Sequence, residues 1–266
     1  MWRYTVEELL KSWMLGIVQG LTEFLPISST GHLVLFRKWF GLQEAGLFLD
    51  TMLHFGTFVA VLAVFWDDVI HLIKKPWSRL GLLIMVGTIP TAVIGLTFED
   101  FFEDISKTGE TIGVEFLITG LILWFADNIK KSRGKNLESI TFKDAIFIGT
   151  LQGAAILPAI SRSGLTIAGS LWRGIKREDA AKFSFLLSLP AILGGVVLQG
   201  QKLFDEQTVS IGLPALLIGT FASAIAGYIA VRWMLKILKD GSLKIFALYV
   251  WILGIIIIGL QMTNNW

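Results

Sequence analysis

Between Leu15 and Leu35 the chain reads LGIVQGLTEFLPISSTGHLVL, which sets Gln19, Glu23, Ser28, Ser29, Thr30 and His32 inside an otherwise apolar run. A carboxylate, hydroxyls and an imidazole this close together can accept a proton, attack an electrophile and return a proton. Further on, ILPAISRSGLTIAG supplies Ser161, Arg162, Ser163 and Thr166 in a second apolar surround. Arg is always charged and forks onto phosphate or carboxylate oxygens. A charge at bilayer depth costs from about 3 to more than 10 kcal/mol, so such residues belong in a watered cavity. The bland alternative is an ion pair of Glu23 with Arg162 that locks two helices, and it leaves His32 and both Ser-rich stretches unexplained.

The elements that must position these groups follow from local rules. Gln19 and Glu23 are four apart and share one helix face. Pro26 cannot continue that helix and disfavours helical backbone at Leu25, so the helix is predicted to stop near Phe24. Ser28-Ser29-Thr30-Gly31 then offers N-cap residues ahead of the apolar HLVLF, and a second helix is predicted to start there. Its free amides and positive dipole end suit a phosphate.

The chain has 266 residues, 54% hydrophobic and 17% charged, and its mean hydropathy is +0.68. Those values predict an all-α polytopic membrane protein in one domain, residues 1–266. The absence of Cys excludes disulfides, thiolate catalysis and Cys-bound zinc. A net charge of +2 gives no reason to expect nucleic acid as a partner. No secretory signal pattern is expected, because the first apolar run leads into the Gln19 to His32 motif.

Apolar runs able to cross a bilayer lie at about 48–66, 80–98, 112–126, 183–199, 211–231 and 245–262. The two polar-interrupted stretches, the second between 144 and 173, are too broken to be simple spans. They also match each other: Gln19-Gly20 with Gln152-Gly153, and Ile27-Ser28-x-x-Gly31 with Ile160-Ser161-x-x-Gly164, at a constant offset of 133. The offset is half the chain, so repeats of about 1–133 and 134–266 are expected, each a re-entrant helical hairpin followed by three transmembrane helices. Three spans is an odd number, which makes the second copy inverted and brings the hairpins together near the midplane. Loops 67–79, 127–144, 173–182 and 232–244 carry 16 of the 23 basic residues and fall on one side. Arg3, Lys11, Arg37, Lys38, Lys107 and Lys202 fall on the other, with the acidic Glu99, Asp100, Glu103, Asp104 and Glu110. The positive-inside rule makes the basic side cytoplasmic and turns both termini outward.

Where the repeats differ, one copy has specialised: Glu23 faces Ile156 in the alignment, Ser29 faces Arg162, and His32 faces Leu165. An acid, a hydroxyl, an imidazole and a guanidinium then converge with two helix starts. The combination favours phosphate or diphosphate, and at this depth a lipid phosphate. Ser29, His32 or water is the candidate nucleophile, a choice the sequence leaves open, and Glu23 and His32 can handle protons. A divalent cation could bridge Glu23 and the phosphates, but the ligand set is too sparse to identify a metal from spacing.

QGLTEFLPISSTGH, with PAISRSGLT later, resembles the integral-membrane undecaprenyl-diphosphate phosphatase family, known also for bacitracin resistance. The resemblance implies catalytic residues Glu23, Ser29, His32 and Arg162, and substrate-binding residues Gln19, Ser28, Thr30, Ser161, Ser163 and Thr166. It further implies removal of the terminal phosphate of undecaprenyl diphosphate at the outer face of the bacterial plasma membrane. Mg²⁺ or Ca²⁺, held by Glu23 with Gln19, would assist, and the carrier lipid would be recycled for peptidoglycan synthesis. Membrane lipids are the expected surroundings, and a homodimer is left open. Two positions depart from the family pattern: Ala159 stands where relatives have Gly, and Gln19 where an acid is common.

Asp50 and His54 either line the cavity or form an interfacial polar pair. Glu115 is expected at the interface, His71 in solvent, and Trp66, Trp77, Trp124, Trp172, Trp233 and Trp251 in an aromatic belt. The rival function is a transporter or flippase for polyprenyl phosphate or another anion, which needs binding groups but no nucleophile. The acid-phosphatase-like lipid phosphatases are excluded because the position six after Arg162 is Ala168, not His.

Overall fold

The computed structural model describes residues 5–41, 46–98, 101–102, 105, 109–129, 134–206 and 211–263. Of the residues used above for topology, Arg3, Glu99, Asp100, Glu103, Asp104, Lys107, Lys130, Lys131 and Arg133 lie outside these, as does the side chain of Lys202. The described residues form α1 (Val6–Phe24), α2 (Ser29–Phe40), α3 (Gly46–Val64), α4 (Trp66–Lys74), α5 (Arg79–Thr97) and α6 (Ile112–Asp127). They continue with α7 (Phe142–Ala154), α8 (Arg162–Trp172), α9 (Arg177–Glu206), α10 (Leu213–Asp240) and α11 (Lys244–Met262). The fold is all-helical.

Helices α5, α10 and α11, and α9 over Arg177–Gly200, are long and apolar enough to cross a bilayer. Helix α3, bent 88° from α4, makes a fifth candidate. Helix α6 has 16 residues, a rise of about 24 Å, which falls short of a typical hydrocarbon core. Residues 67–79, read from sequence as a loop, instead carry α4, with Asp67 and Asp68 in its first turn. Much of 232–244 likewise belongs to α10, so Arg232, Lys236 and Lys239 extend a helix rather than a loop. Polar residues punctuate apolar helices without ending them where the backbone keeps its own hydrogen bonds.

The distribution of polarity suits lipid. Ile252 and Ile255 on α11 are 61% and 64% exposed, whereas Ser12, Gln19, Thr57, Thr166, Ser184 and Ser223 are fully or almost fully buried. One apolar core runs through both halves of the chain, with Phe24, Phe116, Phe183 and Phe185 inside it.

Small residues let the helices that carry the site approach closely. On α1, a Cβ at Gly16 would stand 2.2 Å from the carbonyl oxygen of Gly219 in α10. On α7, 133 residues later, a Cβ at Gly149 would stand 1.8 Å from the carbonyl oxygen of Gly87 in α5. Backbone contact of this kind is how membrane helices pack without a hydrophobic driving force. Gly149→Ala is therefore expected to lower stability by about 2 kcal/mol or more, since a backbone must move. The check is thermal unfolding in detergent, with Gly194→Ala as control because a Cβ there meets nothing within 4 Å.

Candidate active site

Helix α1 ends where Pro26 requires it. Leu25, before the proline, is extended at φ −71°, ψ 142° and caps the helix. Helix α2 starts from Ser28, whose hydroxyl accepts the Gly31 amide at 3.4 Å. Ser28 has φ 65° and is the one non-glycine residue with positive φ among the described residues. That conformation costs about 1–3 kcal/mol, and such strain persists where surrounding contacts enforce it. The second interruption repeats the plan: Ser161 caps α8 and accepts the Gly164 amide at 3.1 Å.

The two turns touch. Ser28 Oγ donates to the Pro158 carbonyl at 2.6 Å, and Ser163 Oγ donates to the Leu25 carbonyl at 3.2 Å. Leu25 and Pro158 are themselves 133 apart, so each turn presents the equivalent carbonyl to a serine of the other.

Between the turns lies Glu23, 6% exposed. Its Oε2 accepts from Ser29 Oγ, and from Gln19 Nε2 at 3.0 Å. Its Oε1 accepts from Arg162 Nη2. His54 Nε2 of α3 stands 3.7 Å from Oε2. Ser29 and Arg162 are the first residues of α2 and α8. One carboxylate thus takes a hydroxyl from one helix start and a guanidinium from the other. Arg162 Nη1 and Gln19 Oε1 are buried without a hydrogen-bond partner among the described residues. An unpaired buried donor of a charged group is costly, and a phosphate oxygen would satisfy it.

His32 is buried but bonded elsewhere. Its Nδ1 is 2.6 Å from the Ser28 carbonyl and its Nε2 2.8 Å from the Tyr249 hydroxyl. Ser161 Oγ lies 3.3 Å from Ser163 Oγ. Thr166 turns away from the carboxylate, with its hydroxyl 2.8 Å from the Arg162 carbonyl and 2.5 Å from Ser184 Oγ. Thr30 is half-buried in the first turn of α2, and no described hydrogen bond joins its side chain to Glu23 or Arg162.

Several residues around the site differ in placement from what their sequence positions suggest. Glu115 is not interfacial: it is 4% exposed, and its carboxylate accepts the Ala159 amide at 2.6 Å and the Thr111 hydroxyl at 2.5 Å. Thr119, one turn later, donates to the Ala159 carbonyl at 2.9 Å and accepts from the Ser161 amide at 3.2 Å. Helix α6 therefore clamps the turn that precedes Arg162. Ala159 needs no positive φ, so alanine in place of the family's glycine is accommodated. Asp50 pairs with Arg37 at 2.9 Å, and the next turn carries His54 to Glu23. His71 is exposed, as expected. Trp66, Trp77 and Trp172 are exposed at or beside helix ends and Trp233 is exposed within α10, whereas Trp124 and Trp251 pack on each other at 5.4 Å.

A divalent cation beside Glu23 would meet Gln19 Oε1, one turn away and unpaired among the described residues. Among the described residues no three His, Asp or Glu side chains could hold an ion by themselves. The donor set fits a cation that takes most of its ligands from phosphate oxygens.

Comparison with known proteins bears on this geometry directly. The sequence pattern of the family described as bacitracin resistance protein BacA matches residues 12–256, which include both turns and every residue named around Glu23. The chain belongs to the BacA family. Its relatives include undecaprenyl-diphosphatase 4 of Bacillus thuringiensis (strain Al Hakam), 60% identical over 255 residues, 96% of this chain and 98% of the relative. The undecaprenyl-diphosphatase of Carboxydothermus hydrogenoformans is 58% identical over 255 residues, 95% and 97% of the two chains. That of Halothermothrix orenii is 44% identical over 253 residues.

The clamp on α6 makes a prediction within this family member. Glu115→Ala leaves the buried Ala159 amide unpaired, a cost of about 1–3 kcal/mol. Displacing the turn would slow phosphate release at least about tenfold, since misplacement by 1 Å is enough for losses of that order. Glu115→Gln keeps an acceptor and is expected to retain most of the rate in the same assay.

Proposed function

We propose that the protein hydrolyses undecaprenyl diphosphate to undecaprenyl phosphate and inorganic phosphate, the activity by which its relatives are named. The observation that carries this reading is the sharing of Glu23 between the Ser29 hydroxyl and Arg162, with Arg162 Nη1 buried and unpartnered among the described residues.

In this reading Arg162 and the amides at the starts of α2 and α8 hold the diphosphate, and Arg162 keeps Nη2 on Glu23 while Nη1 binds the terminal phosphate. Ser29 Oγ attacks the terminal phosphorus, its proton passes to Glu23 Oε2, and the bridging P–O bond breaks to release undecaprenyl phosphate. Water then cleaves the phosphoserine, with His32 as the second proton carrier. Mg²⁺ or Ca²⁺, when bound through Gln19 Oε1 and Glu23, would neutralise charge on the phosphates.

The architecture we assign is an inverted repeat, with α1–α2 and α7–α8 as re-entrant hairpins. In support, α1 packs on α10 as α7 packs on α5, while α6 with α11 and α3 with α9 form pairs related to each other across the halves. The Gly16 and Gly149 approaches repeat the same relation. The basic side is assigned to the cytoplasm and the opening of the site to the outer face, on the positive-inside rule.

The test uses wild-type protein in vesicles carrying a polyprenyl diphosphate. Release of inorganic phosphate is expected. Movement of the lipid across the bilayer without phosphate release would replace the enzyme by a carrier.

A further inference from the structure

Tyr249 lies on α11, remote in sequence from every motif, and reaches His32. Its ring stacks on the imidazole at 5.7 Å between centroids and 9° between planes, and its hydroxyl is 2.8 Å from Nε2. Phe116 closes another side of the imidazole edge-on at 5.5 Å. The Ser28 carbonyl, 2.6 Å from Nδ1, can only accept, so Nδ1 carries the hydrogen and Nε2 of the neutral ring presents its lone pair to Tyr249. The tyrosine is 44% exposed, and a phenol O–H can either donate or accept.

From these contacts we infer that Tyr249 is the positioning residue for His32. The inference rests on the reading of His32 as a proton carrier. In the resting site the Tyr249 O–H donates to Nε2. When the hydroxyl hydrogen turns off that lone pair, Nε2 can take a proton from the water that attacks the phosphoserine, and the new N–H donates to the tyrosine oxygen. No proton is lost or gained by Tyr249. One side chain therefore holds the imidazole in the same place in both protonation states, which a backbone carbonyl could not do at Nε2. The Ser28 carbonyl fixes the other nitrogen, so the pair sets both tautomer and ring orientation.

Tyr249→Phe keeps the stacked ring and removes only the hydroxyl. Its kcat on a polyprenyl diphosphate is expected to fall by about tenfold to a hundredfold, the scale on which removal of an orienting partner acts, with KM changed less than about threefold. In a His32→Ala background the same substitution is expected to change kcat less than about twofold, because the hydroxyl acts through the imidazole. The chain has 3 His, so selective ¹⁵N labelling resolves the ring of His32. Its Nε2 signal is expected to move in Tyr249→Phe while Nδ1 stays protonated.

Normal kcat in Tyr249→Phe alongside an impaired His32→Ala would overturn the inference and leave the role of His32 standing. Multiplying losses in the double variant, or an unmoved Nε2 signal, would also overturn it. Full activity in His32→Ala would remove the reading of His32 itself, and this inference with it.

Discussion

Arg162→Ala is expected to cut phosphate release from a polyprenyl diphosphate by about 10³-fold or more, the scale of guanidinium groups that stabilise phosphoryl transfer. The side chain has one nitrogen on Glu23 and another that is buried without a partner among the described residues, an arrangement that suits two anions at once. Removing it leaves the carboxylate of Glu23 buried and without its cation, in addition to losing the phosphate contact. Arg162→Lys restores the charge but not the fork, and is expected to recover less than about a tenth of the loss. Steady-state phosphate release at saturating lipid checks both. Normal turnover in either variant would contradict a role for the guanidinium in the reaction.

The second large effect concerns the hydroxyl. Ser29→Ala removes the group that donates to Glu23 Oε2 from the start of α2, while the helix keeps its Ser28 cap. A loss of about 10³-fold or more in kcat is expected if Ser29 is the nucleophile, with the residual rate supplied by water. Acid quenching of wild-type protein during turnover is expected to trap phosphate on Ser29, and the Ser29→Ala protein none. If water attacked instead, no label would stay on the chain and Ser29→Ala would lose far less.

The parts of the fold legible in sequence were those fixed by local chemistry. Pro26 and the serines after it set the break between α1 and α2 to within a residue, because a proline and an N-cap act on their own neighbours. The offset of 133 pairs Ser28 with Ser161 in the sequence, and both cap a glycine amide three residues on. Glu115 and Thr119 were less visible. They do stand four apart on one face of an apolar helix, which was a usable signal, but their partners are backbone groups that no sequence pattern marks. Tyr249 gave no signal at all, since it sits 217 residues from His32 and only tertiary packing joins them. The α3–α4 bend was missed because Asp67, Asp68 and the following lysines read as a polar loop, whereas acids at a helix start and bases at its end favour a short helix.

In the proposed reaction a carboxylate on the first turn and a guanidinium on the second act as one catalytic unit. The most direct test of this is a double-mutant cycle on kcat/KM with Glu23→Gln, Arg162→Ala and the two combined. Residues that act as a unit lose little more together than the worse of them loses alone, and that is the result expected here. Losses that multiply would place the two side chains in independent roles and contradict the shared site.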